Sequence, residues 1–250
     1  MTPLAIALIV LVAMFLLGLP IFMSLIISSV VAILAGGDIL PLSVIHNSLF
    51  DGLNLFPLLA IPCFVVAGTL MEFGNITQQI VDVVKQLVGR VYGGLGITTI
   101  LACTFFAAIS GSGPGTVAAV GTILVPAMVR NGYSKDYASA AASSGGTIGI
   151  LIPPSIMLVS MGSYANVSVG KIFFAAIVPG LVLSLFYMIY VFVICHIHPD
   201  YGPAMTTEEL AAMPLRERIT GSLITLIPPV ILIVGVLGSI FTGWATPTEA

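Results

Sequence analysis

Charge is scarce in this chain. Lys, Arg, Asp and Glu make up 7% of its 250 residues, where a soluble domain carries about 25%. That excludes a soluble globular fold. The net charge of −3 is spread over so few residues that it gives no footing for nucleic acid. Cysteine is scarce too: Cys63, Cys103 and Cys195 stand alone in apolar runs, so no disulfide or metal framework is expected and they read as packing residues. Met1 to Ala13 has no basic n-region and its apolar stretch continues, so a cleavable signal peptide is not expected there. The longest polar stretch, His196 to Arg218, is too short for an extramembrane domain.

Chemistry-bearing patterns are missing as well. Gly111 to Thr116, GSGPGT, lacks the lysine of a phosphate-binding loop. The residues around Ser112 do not form a nucleophile elbow. His196, His198 and Asp200 have no fourth ligand nearby and read as interfacial polarity. All three histidines lie near span ends, which argues against an intramembrane hydrolase, and no enzyme is expected. Tyr133, Tyr137 and Trp244 fit interface anchors.

What is present is apolar length. Apolar residues reach 58%, with a mean hydropathy of +1.18. The runs are long and do not alternate, so a β-barrel is excluded and an all-α polytopic membrane protein is expected. Met1 to Gly37 is charge-free and far longer than one crossing, with a natural break at Gly18-Leu19-Pro20. Asp38 to Asp51 reads as a loop or interfacial segment, and Leu53 to Met71 as a span kinked by Pro57 and Pro62. From Ile76 to Val91, Ile80, Val83, Val84, Leu87, Val88 and Val91 share one helical face. Gln79, Asp82, Lys85, Gln86 and Arg90 lie largely on the other, the pattern of an amphipathic interfacial helix.

Val91 to Val129 contains no charge, yet its centre, Phe105 to Gly115 (FFAAISGSGPG), is the least helix-friendly peptide in the chain. In a helix interior glycine costs about 1 kcal/mol and proline about 3 kcal/mol. Two half-helices meeting at an irregular tip are expected. Lys85 and Arg90 precede this run and Arg130 and Lys135 follow it, so both flanks face the cytoplasm. A re-entrant hairpin with its tip at Ser110 to Gly115 satisfies this, and so do two full spans with a tight external turn. Tyr137 to Gly170 is a second charge-free run, broken at Gly145 to Ser155 (GGTIGILIPPS). Spans at Ile172 to His196 and Ile219 to Thr242 follow. Lys171 falls outside, Arg216 and Arg218 inside, and the N-terminus outside.

A helix that ends inside a membrane leaves carbonyls unpaired, and one that starts there leaves N–H groups unpaired. The first suit cations and the second anions. At the first break Phe105 to Ile109 would end one half-helix. Ser112 or Gly113 would cap the next, with Pro114 at its first position. At the second, Thr147 to Gly149 would end a half-helix and Pro153-Pro154 would open another. Carbonyls with the hydroxyls of Ser110, Ser112, Ser143, Ser144 and Thr147 suit sodium, a hard cation. Neither run holds an Asp or Glu in mid-span, which argues against a proton relay. The plainer alternative is close helix packing through small residues, above all in Ala138 to Gly146. An ion channel with a re-entrant filter is the competing function.

These residues resemble the TRAP transporters, sodium-coupled importers that receive organic acids from a soluble binding protein. The chain is similar to the N-terminal part of their large membrane (M) subunit. The likeness rests on Phe56 to Gly68, Ile109 to Met128 (ISGSGPGTVAAVGTILVPAM), Gly149 to Ile156 (GILIPPSI), Val167 to Lys171, Ala176 to Gly180 and Thr246 to Ala250 (TPTEA). It implies half of an inverted-repeat elevator transporter: N-terminal scaffold helices over 1–75, the interfacial helix over 76–91, a transport-domain half over 92–170 and scaffold helices over 171–250. Ser110 to Gly115 would be the hairpin tip and Gly146 to Pro154 the break in its partner helix. The sodium set this implies is Ser110, Gly111, Ser112, Gly146, Thr147, Gly149, Ile152 and Pro154. The substrate wall is Ser112, Gly113, Gly115, Thr116, Pro153 and Ser155. Implied partners are a small Q-type membrane subunit, a soluble periplasmic binding protein, a carboxylate substrate such as a C4-dicarboxylate, and the lipid of a bacterial inner membrane. Sodium is the coupling ion and no other cofactor is implied. The family's subunit runs on past its TPTEA-like segment into a second repeat, whereas this sequence stops at Ala250. A fragment or a split subunit is the expectation, without transport by this half alone.

Overall fold

The computed structural model describes residues 2–36, 43–74, 76–88, 91–203, 227, 230–231 and 233–249. Arg90, Arg216 and Arg218, which carry part of the expected topology, lie outside them. The described residues are helical and contain no strand, as an all-α polytopic membrane protein requires. The chain divides into two compact units, Met1–Leu55 and Phe56–Ala250.

In the first unit α1 (Pro3–Leu16) and α2 (Ile21–Ala35) pair through the expected break. Gly18 takes a φ of 76° there, a conformation that favours glycine. Ser24 and Ser28 are the buried residues of α2, while Leu25, Ile26 and Ile27 point outward. Small polar residues face the partner helix and large apolar ones face away, as lipid-exposed helices require. The Ser28 hydroxyl ties the pair by donating to the Ala7 carbonyl at 3.1 Å. Of the segment expected to be a loop or interfacial piece, Ser43–Leu53 is a helix, α3.

The expected span from Leu53 to Met71 is not one kinked helix. A 3-10 turn, Phe56–Leu59, carries Pro57, and α4 begins only at Ala60 and runs to Phe73. Pro62 lies in the first turn of α4, directly after that 3-10 turn, and the sharp bend, 60°, falls before Phe56, between Ser43–Leu53 and Phe56–Leu70.

The second unit is built around α6 (Gly94–Ser110), of which nearly every residue is buried. It is joined to α7 (Gly113–Arg130) as an antiparallel hairpin: Leu95 at the start of α6 packs with Met128 near the end of α7. Both flanks of the interrupted run thus lie at one end. α5 (Ile76–Val88) is amphipathic as expected, but its apolar face meets protein. Ile80, Val81 and Val84 form a core with Phe106 and Ile109 of α6 and Val120 and Leu124 of α7. Val91, expected on that face, lies beyond the helix and is exposed. After α7, α8 (Lys135–Ile148), α9 (Ile156–Ala165) and α10 (Val169–Ile197) follow. Of the described helices, α7 and α10 are long and apolar enough to cross a membrane by themselves. Pro179 lies inside α10 without ending it. Buried hydroxyls bind α10 to α6, with Thr104 and Ser184 2.6 Å apart. Residues 233–241 are again helical. The Glu249 carboxylate accepts the Thr246 N–H at 2.9 Å and its hydroxyl at 2.8 Å. These two bonds hold that carboxyl below the usual range.

Candidate functional site at two helix breaks

Ser110, the last residue of α6, ends the first arm of the hairpin, and Gly111 caps it with a φ of 60°. Ser112 turns extended and caps α7, accepting the Gly115 N–H on its hydroxyl at 3.3 Å. The tip is shorter than expected. It consists of Gly111 and Ser112, because Ser112 can cap at once and Gly113, Pro114 and Gly115 already form the first turn of α7. Pro114 occupies the second helical position, not the first, again without an orphaned donor.

The second break lies between α8 and α9. Gly149 caps α8, residues 149–154 run irregularly, and Ser155 caps α9. The expectation that Pro153-Pro154 opens the next helix is corrected here. Both prolines precede the cap, and their peptide bond is cis. Ser155, fully buried, holds both sides of the gap. Its hydroxyl donates to the Ile150 carbonyl at 2.7 Å and accepts the Leu158 N–H at 3.4 Å.

The two breaks touch. The Ile156 N–H, at the start of α9, donates to the Gly111 carbonyl at 3.2 Å. A Cβ placed on Gly111 would run into the Pro154 carbonyl. A Cβ on Gly149 would stand 2.7 Å from the Thr116 hydroxyl oxygen and 2.9 Å from the Ser112 carbonyl oxygen. Irregular backbone at membrane depth must be covered by protein or line a cavity, and here each break covers the other.

Within this junction a small hydroxyl network frames the tip. Ser110 and Thr116 hydroxyls lie 3.2 Å apart, Thr116 donates its hydroxyl to the Ser112 carbonyl at 2.7 Å, and the Ser112 N–H reaches the Ser110 hydroxyl at 3.4 Å. Thr116 is fully buried and Ser110 nearly so. The α6 helix points its carbonyl end at this network; the Gly111 N–H takes the Ala107 carbonyl at 3.1 Å, and for the carbonyls beyond it the helix has no donor left. The opening turn of α7 is nearly used up: Pro114 has no N–H, and the Gly115 and Thr116 amides go to the Ser112 hydroxyl and carbonyl. Gly113 alone carries an amide that this turn does not use.

The structure thus brings Ser110, Gly111, Ser112, Gly113 and Thr116 together with Gly146, Gly149, Pro154 and Ser155. Gly115 sits at the rim, where a Cβ would meet only Ser112. Thr147 turns away. Its hydroxyl donates to the Ser144 carbonyl at 2.7 Å and pairs with the Tyr187 hydroxyl of α10 at 3.3 Å. Ser144 lines a cleft of about 440 Å³ beside Tyr187 and Tyr190, while Ser143 is exposed. Ile152 is buried in the core shared with α10, and Pro153 is buried in the linker. Sequence reasoning missed the Ile150 carbonyl as the partner of Ser155 and Tyr187 as the partner of Thr147. Neither had a local signal, since one is a five-residue backbone bridge and the other a contact across the fold.

Residues 8–250 match the family described as "Tripartite ATP-independent periplasmic transporter, DctM component". Over 81% of its length the chain is 40% identical to the C4-dicarboxylate TRAP transporter large permease protein DctM of Pseudomonas aeruginosa, covering 45% of that protein. It is 38% identical over 98% of its length to the protein of the same description from Vibrio cholerae, covering 52%. It is 37% identical over 93% of its length to the isethionate TRAP transporter permease protein DctMQ of Oleidesulfovibrio alaskensis, covering 35%. The chain therefore spans about half the length, or less, of these curated relatives.

Proposed function

The chain belongs to the DctM family of tripartite ATP-independent periplasmic transporters, and from that premise we propose that it is membrane-embedded permease machinery of a sodium-coupled, binding-protein-dependent importer of organic acids. The observation that carries the proposal is the contact between the two breaks, where the carbonyl end of α6 and the starts of α7 and α9 meet around neutral oxygens. Ser110 and Thr116 hydroxyls with the Ser112 carbonyl are the donor set for sodium. They are hard and uncharged, and they are already held near one another. The Gly113 amide and the Ser112 hydroxyl face the carboxylate of the solute. A C4-dicarboxylate is the solute class favoured, since two of the relatives above carry that name. Its partners are a small Q-type subunit and a periplasmic binding protein, and one relative's name, DctMQ, joins M and Q. The setting is a bacterial inner membrane with the N-terminus periplasmic.

In this reading the hairpin re-enters the membrane and moves as part of an elevator. The hairpin and the broken helix α8–α9 travel as one body, because the contact between their breaks leaves no plane along which one slides past the other. Of residues 1–75, the first unit, Met1–Leu55, serves as scaffold, while α4 packs on α9, on α10 and on Ser110 and travels with the moving body. Residues 171–197 are bonded to the moving body through Thr104 and Ser184 and through Thr147 and Tyr187, so α10 travels with it.

The test is uptake of a radiolabelled C4-dicarboxylate into proteoliposomes holding the assembled transporter. Uptake is expected only with an inward sodium gradient and only with the binding protein present. Equal rates with sodium replaced by choline would refute the coupling, and currents without binding protein would favour a channel.

A further inference from the structure

Helix α4 presents a single stripe to the rest of its unit. Among its described side chains, Ala60, Phe64 and Gly68 are buried and the others are not. Their spacing of four places them on one face. Ala60 and Phe64 pack with Val159 of α9 and with Val169 and Phe173 of α10. Gly68 meets the other break. A Cβ placed there would stand 3.3 Å from the Ser110 Cα and 3.6 Å from its Cβ. One short helix therefore touches α9 beyond the second break and α6 at its final residue.

We infer that Gly68 is a positioning residue for the sodium site, setting where Ser110 stands; the inference rests on the sodium-coupled reading above. Ser110 cannot yield alone. Its hydroxyl holds Thr116 and the Ser112 N–H, so pushing its backbone moves its own hydroxyl and carbonyl and strains both bonds. Glycine in mid-helix costs about 1 kcal/mol relative to alanine, and the absence of a side chain at this position is what lets the backbones of α4 and α6 approach. At 3.3 Å the added methyl of alanine forces a shift of a few tenths of an ångström. A β-branched side chain forces more. Where 1 Å of misplacement can cost about 100-fold in a site of fixed geometry, such a shift costs roughly threefold.

The experiment titrates sodium against the unfolding temperature of the purified, assembled transporter for the parent, Gly68→Ala, Gly68→Val and Val66→Ala. Val66 is exposed and not on the buried stripe, so its variant is the control for α4 itself. Expected are a saturable sodium-induced rise in the parent, a half-saturation raised roughly threefold in Gly68→Ala and roughly tenfold or more in Gly68→Val, and the parent value in Val66→Ala. A residue that only packs would lower the sodium-free unfolding temperature and leave the half-saturation where it was. Parent-like half-saturation in both Gly68 variants overturns the positioning role and leaves the sodium reading standing. A parent that does not respond to sodium overturns both.

Discussion

Gly113 of α7 and Gly146 of α8 stand backbone to backbone: a Cβ on either would lie 3.1 Å from the other's carbonyl oxygen. This reciprocal contact brings the two backbones together one residue past the Ser112 cap. It allows Gly149, one turn on, to reach Thr116.

The crossing gives a paired prediction. Gly146→Ala pushes a methyl into Val117 and the Gly113 carbonyl, so it should destabilise by about 1–3 kcal/mol, the usual cost of overpacking. Gly121→Ala on the same helix pair meets the Ala142 Cβ at 3.6 Å and the Val117 Cγ1 at 4.0 Å, both ordinary contacts. It should be neutral or slightly stabilising, because alanine is the better helix former. Unfolding in mild detergent measures both, and equal losses in the two would mean that glycine at 146 reflects nothing about the crossing.

Gly111 combines a φ of 60° with the Pro154 carbonyl overhead. Gly111→Ala should cost more than the roughly 1–2 kcal/mol of a left-handed non-glycine residue, because the linker of the second break must also move away. The specific readout is hydrogen exchange. Protection of the Ile156 amide, whose partner is the Gly111 carbonyl, should drop, while amides in the middle of α6 keep theirs. Unchanged protection at Ile156 would contradict the contact between the breaks.

Ser155→Ala removes one hydroxyl and leaves two groups without partners, the Ile150 carbonyl and the Leu158 N–H. A lost cap and a buried unsatisfied carbonyl each cost about 1–2 kcal/mol. A loss of about 2–4 kcal/mol is expected on unfolding, with Ser155→Thr retaining part of the parent stability. A change within about half a kcal/mol, the range of a surface substitution, would show that water satisfies the break.

How far these breaks were legible follows from their chemistry. Glycine, proline and hydroxyl residues clustered in charge-free runs marked both breaks, and Ser112 was one of two candidate caps of α7, although Pro114 at the first helical position would have pointed to Gly113. Directions were not legible. Thr147 lies in the expected ligand segment, yet its side chain leaves α8 toward Tyr187, and only the position of α10 decides that. The same limit applied to α5: periodicity reveals an apolar face, whereas α6 and α7, and not lipid, turned out to cover it. Ser155 was named for the substrate wall, and its place as the bridge across the gap depends on a fold of the linker that no spacing encodes.

The bond between Thr104 of α6 and Ser184 of α10 carries the proposal that α10 moves with the hairpin, and its strength can be measured. Both hydroxyls are buried and 2.6 Å apart, and Thr104 also donates to the Ile100 carbonyl at 2.8 Å. With its proton on Ile100, Thr104 accepts from Ser184, so Ser184→Ala removes the donor and Thr104→Val removes the acceptor. Each single change should destabilise by about 1 kcal/mol or more, because a buried group loses its partner. The double change should cost less than the sum, with a coupling of about 0.5–1.5 kcal/mol in the cycle. A distance measurement then separates a clasp that travels from one that merely packs. Spin labels go on Val182 of α10 and Ala118 of α7, both exposed. If α10 travels with the hairpin, the two labels keep one distance distribution with and without sodium and substrate. A distribution that changes between those conditions would place α10 with the scaffold.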